Sequence, residues 1–359
     1  MLDEIVSHLA PEHPTPFVGR PTGITNSRFD TEVCPDSPSC AGWYVDADVH
    51  AVLLERNKLV GRKVARLLAS VGLTAAIVEE PAHLPAALAD AQAPVDLVLA
   101  DVFDADFVAE QIRAHKKLRG VLWTAEPLKR ALRYLIETPG IDHVLARRDF
   151  ESPPRAWEIV MLARRLLSAG APPLSAYLDW GASAVELDVR TTADRDHAVA
   201  SIGAYVARLG VPRRIADMFG ELGHELLMNA MYDAPVDAAG RPKYAADRKA
   251  LLDLLPTEQP AVRLGSDGSR LVLQVRDPFG RLERRHVLDG LARGLAGGEM
   301  DSSHGGAGLG MMVCHNSSSA MFFDVARGKH TEVTAVFELD MNLRELRTAA
   351  KSLHGSWSA

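Results

Sequence analysis

From Asp48 onward, short apolar runs of strand length alternate with longer segments whose apolar residues recur at helical spacing. HAVLLERN, LTAAIVEE, VDLVLADV, LRGVLWTAE and DHVLAR have the Val, Leu and Ile content of buried strands. NKLVGRKVARLLASVG, LPAALADAQA, DADFVAEQIRAHKK, LKRALRYLIETPG and PPRAWEIVMLARRLLSAG carry helical periodicity, the first of them stopping at Gly72. Strands and helices in strict alternation over 48–168 predict a five-stranded parallel, doubly wound sheet covered on both faces. Sites in such sheets form beyond the carboxyl ends of the strands, which is where Glu55, Asp101, Thr124 and Arg147 fall.

The breaker GAPPL ends this series, so 169–174 is expected to be a linker and 175–340 a second α/β domain. SAVELDVR alternates as a strand, and TADRDHAVASIGAYVARLG is helical up to Gly210. VPRRIADMFGELGHELLMNAMYD predicts a long helix with Pro212 tolerated in its first turn. On that helix Glu225 and Asn229 share one face, while Leu222, Leu226, Ala230 and Met231 form an apolar stripe. A carboxylate and an amide so placed can hold a divalent cation and a water beside a phosphate chain, although a polar helix edge has the same spacing. A polar insert, APVDAAGRPKYAADRKALLDLLPTEQ, comes next.

PAVRLGSDGSRLVLQVRDPFG then predicts a hairpin turning at SDG. Asp277 shares the parity of Leu271, Leu273 and Val275 and should point inward, where an unpaired carboxylate is costly. After the helix LERRHVLDGLARGL, Gly306, Gly308 and Gly310 alternate just before a helix-capable run from Leu309. Glycines admit a phosphate to the backbone and a helix start offers free N–H groups, yet GxGxG is also common in plain loops. TEVTAVFEL is the last strand of this domain. In the C-terminal tail, 341–359, Leu343, Leu346, Ala350 and Leu353 form one helical stripe expected to pack on the chain's own surface or, alternatively, to dock a partner.

Composition narrows the field. The chain has 359 residues, 47% of them apolar, more than a single core usually organises. Its net charge of −7 gives no general pull toward nucleic acid. The three cysteines form no metal-type pair, CPDSPSC is expected to be an exposed loop within an irregular extension over 1–47, and a cytoplasmic setting is expected. No export signal and no membrane span are expected.

Two resemblances emerge from these residues. The order of the parallel half is similar to the receiver domain of bacterial response regulators: Asp101 in DLVLADV matches the phosphoacceptor and Thr124 in WTAEP the switch hydroxyl. Where that family has an acidic pair this chain has Glu55 followed by Arg56, and Arg147 stands in place of the lysine. A guanidinium there competes with magnesium, so a pseudo-receiver acting as a docking or homodimerising module is expected.

The second half, 175–340, resembles the GHKL superfamily of ATP-binding domains, shared by DNA gyrase, histidine kinases, the heat-shock chaperone of 90 kDa and mismatch-repair MutL proteins. That resemblance implies a bound ATP or ADP with Mg2+: Asn229 would ligate the metal, Glu225 would orient or deprotonate the nucleophile, and Asp277 would accept the adenine amino group. Gly280, Gly306, Gly308 and Gly310 would form the glycine boxes, with Thr331 near adenine. Asp277-Pro278-Phe279-Gly280 is one residue longer than the usual DxG, which alters the neighbouring loop. Arg281, Arg284 and Arg285 either reach phosphates or form a solvated face. No phosphoacceptor helix precedes the domain, so the nearest type is the anti-sigma-factor serine kinases, with a protein serine as substrate. A non-catalytic nucleotide-binding adaptor is the alternative.

Overall fold

The computed structural model describes residues 50–89, 95–167, 171–180, 182–250, 253–295 and 307–358, all within one compact unit, Val45–Ala359. The extension over 1–47, with Cys34 and Cys40, lies outside the described residues, as does Gly306. Among the described residues no helix is long and apolar enough to cross a membrane.

The first half is the expected parallel sheet. Strands β1 (His50–Leu54), β2 (Thr74–Val78), β3 (Val95–Asp101), β4 (Arg119–Thr124) and β5 (Ile141–Ala146) lie in the order β2-β1-β3-β4-β5. The crossovers are α1 (Lys58–Ala69), α2 (Leu84–Ala89), α3 (Ala105–Ala114) and α4 (Lys129–Glu137), with α5 (Ala156–Leu167) after β5. Successive strand residues face opposite sides, so Leu53, Leu99, Val121 and Trp123 pack under α1 and α5, whereas Val52, Val98, Leu122 and Val144 pack under α2, α3 and α4. Helix α1 starts where the Asn57 side chain accepts the Leu59 and Val60 N–H groups and ends ahead of Gly72, whose φ of +90° few other residues tolerate. The strand order reverses between β1 and β3, which opens a crevice at their carboxyl ends.

The second half is antiparallel. β6 (Ser183–Asp188), β7 (Ala261–Ser266), β8 (Arg270–Asp277), β10 (His330–Glu338) and β9 (Ala320–Ala326) are neighbours in that order. Helices α6 (Thr192–Arg208), α7 (Arg213–Met228), α8 (Arg284–Leu295) and α9 (Ala307–Asn316) belong to the same half. Ile202, Phe219, Leu222, Leu226 and Leu291 from these helices share a core with Leu273, Val275, Val333 and Phe337 of the sheet. A Thr191–Asp194 capping box starts α6. Helix α7 loosens into a π-helical turn over Asn229–Asp233, which re-aims the residues that follow Met228. The opposite sheet face is also covered, since Val272, Phe322 and Val336 pack against Leu174, Tyr177 and Met161 of α5.

The tail departs from expectation. Helix α10 covers only Leu343–Thr348, and Ser352–Ser358 forms a strand, β11, that pairs parallel with β9 and antiparallel with β5. Ala349 is extended (φ −65°, ψ 149°), which breaks the stripe before Leu353. The edges of β5 and β9 offer hydrogen-bond partners that no local window of sequence displays, and they override helical spacing. Among the described residues the two halves therefore form one sheet of eleven strands. Strand β9, AMFFDVA, likewise has no counterpart among the elements expected from the sequence.

Candidate functional site

Two groups of sequence-predicted residues assemble separately. At the carboxyl end of the parallel half, Arg147 at the end of β5 reaches Asp101 at the end of β3 (Nη2 to Oδ2, 2.6 Å) and Glu55 beyond β1 (Nη1 to Oε2, 3.3 Å). All three are buried. Burial pushes both carboxyls above their ordinary range; the Phe103 N–H and then Arg147 act against this at Asp101, and the Asn57 N–H and then Arg147 at Glu55. Arg56 forms a two-pronged pair with Asp104, so its charge is neutralised by a buried acid that motif reading missed. Thr124 is buried, but its hydroxyl is engaged with the backbone of Glu126, accepting from the N–H at 2.9 Å and donating to the carbonyl at 3.2 Å. The structure thus gathers Glu55, Asp101 and Arg147 and turns Thr124 away into its own loop.

The second group meets in a cavity of about 1240 Å3 beside α7. Glu225, Asn229, Asp277, Gly310 and Thr331, drawn from four separate stretches, all line it. Asp277 and Thr331 face each other in the β8–β10 register. Asp277 Oδ1 accepts the N–H groups of Phe279 (2.8 Å) and Gly280 (3.2 Å), which fixes the carboxylate at the cavity wall. Burial raises its pKa, with those two backbone donors and the Thr331 side chain acting against the rise. The Thr331 hydroxyl is buried beside that carboxylate, close enough to oppose the rise in its pKa but outside hydrogen-bonding geometry. A buried hydroxyl left so is costly unless something enters the cavity to meet it.

Two glycines here have steric reasons. Gly280 turns the chain at φ +63°, and a Cβ there would overlap the Ala326 carbonyl oxygen. At Gly310 a Cβ would overlap the Glu225 carboxylate, so a side chain there would displace that carboxylate from its present place at the cavity. Gly308 lies in the first turn of α9. The three arginines separate in role. Arg281 lines the cavity and donates to the Gly240 carbonyl at 2.8 Å. Arg284 instead ties α8 to the parallel half through Asp142 (2.7 Å) and the carbonyls of Leu135 and Ile141, and Arg285 pairs with Glu283 at the surface.

Sequence reading missed Arg248 and Lys249, which the polar insert brings to the cavity. The Arg248 guanidinium sits 5.7 Å from the Tyr232 ring centroid, within cation–π range. Only the fold of the insert carries them there, so their sequence neighbourhood held no signal.

No family model matches the chain, and no curated protein matches it. Solved structures with partial likeness include a response regulator receiver protein from Burkholderia phymatum (24% identity, TM-score 0.20), which overlaps 21% of this chain and 65% of that one, less than two thirds of its length. A signal receiver domain of an HD domain-containing protein from Pseudomonas fluorescens Pf-5 overlaps 34% of this chain and 90% of that chain at 18% identity and a TM-score of 0.30. A LuxR family DNA-binding response regulator from Silicibacter pomeroyi overlaps 26% and 73%, at 21% identity and a TM-score of 0.22. Strand order and register, rather than these overlaps, define the receiver-like half.

Proposed function

We propose that the α7 cavity binds an adenine nucleotide with Mg2+ and that the chain transfers its terminal phosphate to a hydroxyl of a protein partner, as the GHKL resemblance implies. The observation that carries this reading is the meeting of Asp277 and the unpartnered Thr331 hydroxyl at one cavity with Glu225, Asn229 and Gly310. An aspartate held by backbone donors beside a hydroxyl that lacks a hydrogen bond of good geometry suits a base edge that offers an amino donor and a ring acceptor. Asn229 would hold Mg2+, which when bound supplies charge neutralisation for the phosphates. Arg248, Lys249 and Arg281 offer further positive charge. Glu225 would take the proton of the attacking hydroxyl.

In the receiver-like half, the Arg147 guanidinium supplies internally the positive charge that a metal would bring, which favours a module for docking over one that cycles phosphate. The alternative, an adaptor that binds nucleotide without turnover, draws on the Pro278-containing loop after Asp277. Glu225→Gln separates the two readings. Transfer predicts unchanged affinity for an ATP analogue and a loss of single-turnover phosphate transfer or release of at least about a hundredfold, at the low end for a catalytic base. Absence of turnover in the wild type, with binding intact, would favour the adaptor.

A further inference from the structure

Glu225 lines a second hollow besides the α7 cavity. With His224 it also lines a groove of about 610 Å3 between α6 and α7, to which Val313 of α9 contributes. Among the described residues the Glu225 carboxylate has no hydrogen-bond or ion-pair partner. The groove walls are low where Gly203 and Ala204 of α6 meet Ala216 and Gly220 of α7. Helix packing does not ask for those two glycines. A Cβ on Gly203 would stand 3.7 Å from the Ala216 carbonyl oxygen and one on Gly220 3.9 Å from Val199, both ordinary contacts, whereas at Gly223 of the same helix a Cβ would come within 2.6 Å of Ile202. Gly223 is thus a packing glycine, while Gly203 and Gly220 weaken their helices relative to alanine and leave open space along the groove. The rim is acidic. Asp217 and Glu221 share the Glu225 face of α7, and no lysine or arginine is among the described residues that line the groove. Asp217 has only a solvated partner, Arg213, 3.8 Å away. Such a rim repels a phosphate chain and attracts a cationic segment.

We propose that the α6–α7 groove receives the acceptor, an extended protein segment whose serine or threonine hydroxyl meets Glu225 and which carries arginine or lysine two and four residues away. The spacing follows from α7. Glu221 and Asp217 stand about 6 Å and about 12 Å before Glu225 along the helix. An extended segment rises about 3.3 Å per residue and turns alternate side chains to one side, so its second and fourth residues from the hydroxyl come level with Glu221 and Asp217. In transfer, the hydroxyl oxygen forms the bond to the terminal phosphorus, the bridging oxygen leaves with its electron pair on ADP, and the hydroxyl proton passes to Glu225. That consequence rests on the nucleotide reading of the α7 cavity, whereas docking of the segment does not.

Fluorescence anisotropy on the full chain, with and without a non-hydrolysable ATP analogue and Mg2+, tests this with labelled alanine-rich peptides that carry one serine. In two probes a pair of arginines stands two and four residues from the serine, before it in one and after it in the other; in two counterparts the arginines stand one and three residues away. One of the first two should bind at least about fivefold more tightly than its counterpart, and added salt should weaken it. Asp217→Lys combined with Glu221→Lys turns two attractions into repulsions and should cost at least about tenfold and abolish the preference. Gly220→Leu fills the groove and should cost as much. Both variants should keep their affinity for the ATP analogue within about twofold, because none of the three positions lines the α7 cavity. Should Gly220→Leu not fold, the exposed Asp217 and Glu221 replacements decide. No peptide binding, equal binding of probe and counterpart, or indifference to the charge reversal would overturn the groove assignment, even in a chain that binds the nucleotide. A chain that binds no nucleotide but shows the peptide preference would uphold the groove and defeat the proposed function. Arginine amide binding as tightly as the peptide would overturn a protein segment as the occupant.

Discussion

Replacing Arg147 by methionine removes the guanidinium that bridges Asp101 and Glu55 and retains most of the side-chain volume. Side-chain exposures are only 4% for Arg147, 9% for Asp101 and 7% for Glu55, so water does little to screen what is left behind. Removing one partner of a buried ion pair typically costs about 3–5 kcal/mol, and here two acids lose the same partner. The sign with pH follows from their protonation. Both carboxyls already have folded-state pKa values above the ordinary range because of burial, and loss of Arg147 raises them further. Between the unfolded and folded pKa values the folded chain binds more protons, so its stability falls as pH rises, by at most about 1.4 kcal/mol per pH unit for each acid. The deficit of Arg147→Met should therefore be largest at pH 7.5 and shrink toward pH 5, whereas Arg147→Lys, which keeps the charge, should lose less. Urea unfolding followed by circular dichroism at pH 7.5 and pH 5 measures both. A midpoint equal to wild type, or a deficit independent of pH, would refute the picture of a charge-locked pocket.

Elsewhere, Glu332 is buried between Gln274 and Asp324, and its carboxyl is pushed up to about 7 by burial and then by Asp324. Its contribution should make stability fall as pH rises from about 4.5 to about 7, and Glu332→Gln should flatten that slope by up to about 1.4 kcal/mol per pH unit; a parallel pH dependence in both proteins would contradict this. Deleting 352–358 removes the strand between β5 and β9 and exposes both edges, so the shortened chain should lose cooperative unfolding and self-associate on gel filtration; a monomer with an unchanged midpoint would show that β11 is dispensable.

The parallel half was legible because each of its elements carries its own signal: the runs around Leu53, Val98 and Val121 are strand-length, and Gly72 ends the first helix as composition suggests. The α7 group was legible because Glu225 and Asn229 share a helix face and Asp277 shares strand parity with Leu273 and Val275. What stayed hidden depends on contacts distant in sequence. Leu353 fits a helical stripe, yet the edges of β5 and β9 claim it for a strand. Arg284 looks like part of an exposed basic run until Asp142 and two carbonyls of the other half meet it. Thr124 matches a motif position, but its hydroxyl closes a local turn.

The claim that the α7 cavity is an adenine nucleotide site is tested most directly by isothermal titration calorimetry of the full chain with a non-hydrolysable ATP analogue and Mg2+, repeated with Asp277→Asn. The account predicts one binding event per chain in the wild type, weaker binding of the corresponding GTP analogue, and a loss of at least about tenfold, or about 1.4 kcal/mol, in the variant. Absence of binding in the wild type, or an affinity that Asp277→Asn leaves unchanged, would contradict it.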